Sequence, residues 1–184
     1  MLRRIAVAFA ATGLALAAPA HADVTAETLL DRAQIEDLLV SYYSHFGGEG
    51  GEHFARYYTE DAVFDVNGIV SEGRAAIVAL YDRMDDEGPE SEGTFHMIIS
   101  NLEIDVHEGG QTATAKMLWT GVMNGEIGEP PYLAEQGREY DYLVKEGGEW
   151  LIRKRVVIAD SGLPDAYMET YEPRMDYDIT KGMK

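Results

Sequence analysis

Apolar residues recur at spacings of three and four at Ile35, Leu38, Leu39, Tyr42 and Phe46, with charged and polar residues between them. That period predicts an amphipathic helix with one face turned to a core. Thr28, with Asp31 three residues on, supplies a start signal, and the run of Gly47, Gly48, Gly50 and Gly51 supplies a stop. A short second helix is predicted over residues 52–58 and a small strand over 62–66, followed by an Asn67–Gly68 turn. A third helix begins after Gly73, carries Ile77, Leu80, Tyr81 and Met84 on one side, and ends in the acidic stretch 85–89.

Beyond residue 93 the period changes from that of a helix to that of a strand. Strands are predicted over 94–106, 112–123, 138–145 and 150–159, with Gly147–Gly148 as a hairpin between the last two. In the first of them the alternation changes phase at Ser100 and Asn101, so that Leu102, Ile104 and Val106 form the apolar set beyond. Such a slip predicts a bulge, which bends a sheet strongly. In the second strand Ala113, Ala115, Met117 and Trp119 share one face, and Thr112, Thr114 and Lys116 the other. Three helices and a curved, mostly antiparallel sheet predict an α+β cone, a barrel-like fold enclosing an apolar pocket.

The first 22 residues stand apart from this pattern. Arg3 and Arg4, an apolar run to Ala18 and the small-x-small sequence Ala20–His21–Ala22 read as a secretory signal peptide. The expectation is a periplasmic or secreted protein of one domain, residues 23–184, with a tail from about residue 164. The formal net charge is −18, and loss of Arg3 and Arg4 with the leader makes it two units more negative. Such a surface repels phosphate backbones and anionic headgroups, which sets nucleic-acid and membrane-surface partners aside. Cysteine is absent, so thiolate catalysis and Cys-ligated metals are excluded. Without disulfides a homo-oligomer, dimer or trimer, is expected.

His96 is the first candidate for chemistry: a titratable ring in an apolar strand, which burial would push toward its neutral form and leave able to exchange a proton near pH 7. The competing reading is a core or edge histidine with both ring nitrogens satisfied. Asp65 lies mid-strand among apolar residues, either as a base or partner orienting His96, or as an edge-strand aspartate. Asp141 sits between Tyr140 and Tyr142, and alternation allows only one of these sets to face the pocket. Trp119 is either core or an aromatic wall for a substrate. Arg153, Lys154 and Arg155 read as residues that salt-bridge with acidic neighbours or form a subunit contact. No HExxH, compact His-carboxylate group, GxSxG, P-loop or GxGxxG occurs, so no metal or nucleotide cofactor is expected.

The phrases Ile35–Glu36–Asp37–Leu38–Leu39, Tyr58–Thr59–Glu60–Asp61–Ala62–Val63–Phe64–Asp65 and Gly73–Arg74–Ala75–Ala76–Ile77 resemble the opening of the nuclear transport factor 2-like superfamily in its SnoaL-like branch. His96 followed by Asn101, and Gly148–Glu149–Trp150–Leu151–Ile152 followed by Arg155, resemble its later strands. The resemblance implies a cavity into which Tyr43, on the last turn of the first helix, is aimed. It implies His96 as a pocket histidine, as in scytalone dehydratase. The aspartate usual after the first helix is replaced here by the glycine run. The function implied is a cofactor-independent lyase or dehydratase. Its catalytic candidates are His96, Tyr43, Asp65 and Asp141, and Asn101, Trp119 and Tyr140 would contact a small hydroxylated aromatic substrate. The sphingomonad diarylpropane lyases, which release formaldehyde from a lignin-derived diol, are one such group. The alternatives are an isomerase like ketosteroid isomerase and a non-catalytic binder of a hydrophobic metabolite.

Overall fold

The computed structural model describes residues 24–46, 50–87, 93–162 and 178–181. The predicted leader, residues 47–49 at the start of the glycine run, residues 88–92 and the tail residues Tyr167, Met168, Tyr171 and Met175 lie outside the described residues.

Helix α1 spans Ala26–Ser44 and starts one turn earlier than the pattern suggests. Its N-cap is Thr25, whose hydroxyl accepts from the Thr28 amide at 3.2 Å while the Thr28 hydroxyl accepts from the Thr25 amide at 3.1 Å. Thr28 is thus the third-position partner of a capping box rather than the cap. The helix buries Ile35, Leu39, Tyr42 and Tyr43. Helix α2, Gly51–Ala55, is shorter than expected, because from Tyr58 the chain is already extended. Strand β1, Tyr58–Val66, lies parallel to β6, Glu149–Ser161, from Tyr58↔Ile152 to Val66↔Val157. That long-range pairing, invisible to local pattern, lengthens the strand. Asn67 and Gly68, both at positive φ (53° and 93°), make a two-residue turn into the short β2, Ile69–Glu72. Helix α3 spans Arg74–Glu87.

Strands β3 (Thr94–Val106), β4 (Thr112–Asn124), β5 (Tyr132–Glu146) and β6 follow as an antiparallel meander, and the six-stranded sheet has the order β2-β1-β6-β5-β4-β3. The expected bulge is present: the β3–β4 register slips between Ser100 and Glu103, with Asn101 at φ 52°. It turns the end of the sheet around the helices. The concave face carries the main core, in which Ile35, Leu39, Tyr42 and Phe54 meet Ile104, Met117, Leu143 and Ile152. On the convex face Tyr140, Val156 and Ile158 form a smaller cluster with Ile179 from the end of the chain.

Candidate functional site

The concave face leaves a cavity between α1, α3 and the sheet. Its walls are mainly apolar, with Tyr42 and Tyr43 from α1, Phe46 from the turn after it, Tyr81 from α3, Phe64 and Val66 from β1, and Met97, Val157 and Ala159 from the sheet. The empty space, including the part open to solvent, is about 610 Å³. Glycines in the facing strands make room for its larger side chains. Gly137 pairs with Trp119 across β4 and β5, and a Cβ at Gly137 would lie 2.4 Å from the Trp119 ring and 2.3 Å from the Ile158 carbonyl. A Cβ at Gly121 would lie 2.6 Å from Glu135 Cγ. Both positions admit the indole and the carboxylate side chain only because no side chain opposes them.

Few polar groups reach this space. Asn67 is committed to the backbone, since its Oδ1 accepts from the Ala159 amide at 2.8 Å. Trp119 Nε1 is buried with no acceptor among the described residues. The Glu135 carboxyl has no hydrogen-bond or ion-pair partner among the described residues, and burial raises its pKa from 4.5 to about 7. Tyr43 Oη is hydrogen-bonded to Glu139 Oε2. Glu139 also lines the cavity and belongs to a buried cluster that extends behind its wall, in which Glu139, Asp141 and Arg155 are each 0% exposed. Arg155 donates from Nε to Asp141 Oδ1 at 2.7 Å and from Nη2 to Asp141 Oδ2 at 3.0 Å. The same Nη2 lies 2.9 Å from Glu139 Oε1, an ion-pair contact outside hydrogen-bond alignment, so Oε1 accepts no hydrogen bond. The guanidinium also stacks 4.1 Å over the Tyr42 ring. Burial raises the pKa of Glu139 and Tyr43 well above their ordinary values and that of Tyr42 to about 12.

Tyr43 lines the cavity, where the resemblance placed it, and Trp119, for which the sequence left core and wall both open, lines it as well. Asp141 is on the concave side but one layer back, held by Arg155 rather than exposed to a substrate. The strand's other set faces away: Tyr140 packs on the convex face against Val156 and Ile158.

His96 does not sit in an apolar pocket. Its side chain is exposed, because Phe95, Met97 and Ile99 turn toward the core and alternation sends His96 outward. Asp65 is likewise off the cavity, since its neighbours Phe64 and Val66 line it. Its Oδ1 accepts from the Gly68 amide at 2.8 Å and closes the β1–β2 turn. Asn101 is exposed at the bulge, beside a convex-face groove shared with Lys116, Arg138 and Tyr140. A His96→Gln variant is accordingly expected to keep turnover per folded molecule near the parent rate in a steady-state assay.

Glu135 and Glu139 are the site residues that sequence reasoning missed. A signal was present: residues 135, 139 and 141 share parity with the apolar Leu143, and so share a strand face with it. The predicted strand began at residue 138, which left Glu135 outside the pattern. Among the described residues no three His, Asp or Glu side chains are grouped to hold a metal ion. No helix among them is long and apolar enough to cross a membrane.

The fold has many counterparts among solved structures. An NTF2-like protein with a cystatin-like fold from Novosphingobium aromaticivorans is 21% identical, with a TM-score of 0.62 over 79% of this chain and 92% of that one. A scytalone-dehydratase-like protein from the same organism is 18% identical, with a TM-score of 0.59 over 73% of this chain and 87% of that one. ActVI-ORFA from Streptomyces coelicolor is 19% identical, with a TM-score of 0.62 over 72% and 97%. At these identities the likeness is one of fold. No curated protein matches the chain. The profile of the SnoaL-like domain matches residues 27–156, from the first turn of α1 through Arg155 and Val156 of β6 and across the whole glutamate, tyrosine and tryptophan set of the cavity. The chain belongs to the SnoaL-like domain family.

Proposed function

We propose that the protein is a cofactor-independent dehydratase or lyase that acts by general acid–base chemistry on a small, uncharged, hydroxylated aromatic molecule. The observation that carries this reading is Glu135: a carboxyl group in an apolar cavity, without a partner among the described residues, whose pKa burial pushes up to about 7. A base poised near the working pH gains most from both its ionised fraction and its basicity. Glu135 would take a proton from carbon or from a hydroxyl, and the Tyr43–Glu139 pair would serve the departing or developing oxygen. In a dehydration the C–H electron pair forms the double bond as the β-hydroxyl leaves with a proton, as water. In loss of formaldehyde, the base takes the proton of a hydroxymethyl group and the C–C bond breaks. Its electrons form the alkene as a hydroxyl two carbons away from the hydroxymethyl carbon departs as water.

Aromatic and apolar walls suit a neutral ring, and the two carboxyl side chains disfavour an anionic substrate. A bare binding module is the poorer reading, because titratable groups in this cavity lie within hydrogen-bond reach of each other. The test is incubation in heavy water with a panel of aryl β-hydroxy ketones and aryl 1,3-diols, followed by NMR. Enzyme-dependent deuterium uptake at carbon or loss of water or formaldehyde is expected. Saturable binding of these compounds with neither outcome would establish a binder instead.

A further inference from the structure

We infer that Glu139 is held as a neutral carboxylic acid at neutral pH, and that through it Tyr43 presents its O–H to the cavity as a donor for a substrate oxygen. The inference rests on the proposed acid–base reading and names the oxygen-binding half of the site.

Within the buried cluster two carboxyl groups share one cation, Arg155. Asp141 takes Nε and Nη2 in a two-point geometry, the stronger way to hold a guanidinium. Glu139 touches only the nitrogen already committed to Asp141. The groups that face Glu139 are Tyr42 and Tyr43 from α1, Arg155 from β6, Asp141 from its own strand and, more distantly, Tyr58 from β1. None of the others is a cation. A buried carboxylate is kept ionised by donors, and the one donor on Glu139 is Tyr43, while its Oε1 accepts none among the described residues and the contact with the Asp141 carboxyl favours a proton on Glu139. Retaining a proton on Glu139 leaves the cluster neutral, with Arg155 matched by Asp141 alone.

The state of that proton sets what the cavity offers. A hydroxyl has one donor. If Glu139 were a carboxylate it would accept the Tyr43 proton, and Tyr43 could offer only lone pairs to a ligand. As an acid, Glu139 donates to Tyr43 Oη instead, and the Tyr43 O–H is released to point at a ligand. With Glu135 as base, the cavity then pairs a proton acceptor with a two-link donor chain, Glu139 to Tyr43 to substrate. That arrangement selects a substrate whose oxygen gains negative charge as the proton leaves, such as a carbonyl conjugated to the reacting carbon or a departing hydroxyl.

The state of Glu139 is read without any substrate by infrared spectroscopy of the full-length protein at pH 8, in a Glu135→Gln background that removes the other titrating carboxyl of the cavity. A protonated-carboxyl C=O band, shifted in heavy water, is expected; it should vanish in Glu135→Gln/Glu139→Gln. If that double variant does not fold, Glu135→Gln/Tyr43→Phe, which removes the partner but keeps the acid, should move the same band. Absence of the band, or a band that ignores whichever of these substitutions yields folded protein, overturns the inference. The two readings fail separately. A Glu139 band with no deuterium uptake or elimination by the parent protein sinks the enzymatic reading alone. Turnover without the band sinks this inference alone.

Discussion

Arg155→Met should destabilise the protein by about 3–5 kcal/mol, the usual cost of stripping a buried charge of its partner. A domain has about 5–15 kcal/mol in total, so the variant should lose much or all of its margin in urea or thermal denaturation. The reason is not the loss of a strong bond. Desolvation of three ionisable groups offsets most of what their attraction returns, and the damage comes from leaving the Asp141 carboxyl with 0% exposure and no cation to face it. It follows that Arg155→Met/Asp141→Leu should recover most of the loss, since an apolar pair of similar bulk needs no compensation. Equal destabilisation of the single and double variants would show that packing of the guanidinium under Tyr42, rather than charge, supports the wall.

Glu135→Gln should show opposite effects on activity and stability. Turnover is expected to fall by roughly 10²- to 10⁴-fold, the worth of a positioned acid–base group, equivalent to about 3–5 kcal/mol of barrier. Stability should rise. Burial lifts the Glu135 pKa from 4.5 to about 7 in the folded protein, so ionisation is harder there than in the unfolded chain. Folding stability therefore declines as pH climbs from about 4.5 to about 7, and the deficit is complete above 7. Glutamine removes the deficit. The variant should exceed the parent above pH 7 by on the order of 2 kcal/mol, after allowance for the part of the side chain that solvent reaches, and match it below pH 4.5. A site kept at the expense of stability is what a functional carboxyl in an apolar cavity entails.

Much of this architecture was legible in the chain. The helical period of Ile35, Leu39 and Tyr42 located α1, and the phase slip at Ser100 and Asn101 located the bulge. The alternation of Ala113, Met117 and Trp119 identified the inward face of β4. These are local signals, and local periodicity carries them. What failed were inferences across the sheet. His96 and Met97 are adjacent, and only the packing of Met97 against the core decides that the histidine faces out. Asp65 looked anomalous among apolar neighbours because the Gly68 amide that satisfies it becomes its partner only after the turn forms. Glu139 and Asp141 could be placed on one strand face, but not against Arg155, fourteen or more residues away on a neighbouring strand. Glu135 fell outside because polar residues at 135 and 136 blurred the start of β5, which pairing with β4 carries back to Tyr132.

The role of Glu135 as the base of the cavity is tested most directly by the pH dependence of kcat/KM for deuterium uptake or elimination. For the parent protein, kcat/KM should climb tenfold per pH unit at low pH and level off through an apparent pKa of about 7, the value to which burial raises this carboxyl. In Glu135→Gln that limb should disappear together with most of the rate. A Glu135→Gln variant that keeps both the parent rate and the parent limb near pH 7 would contradict the account.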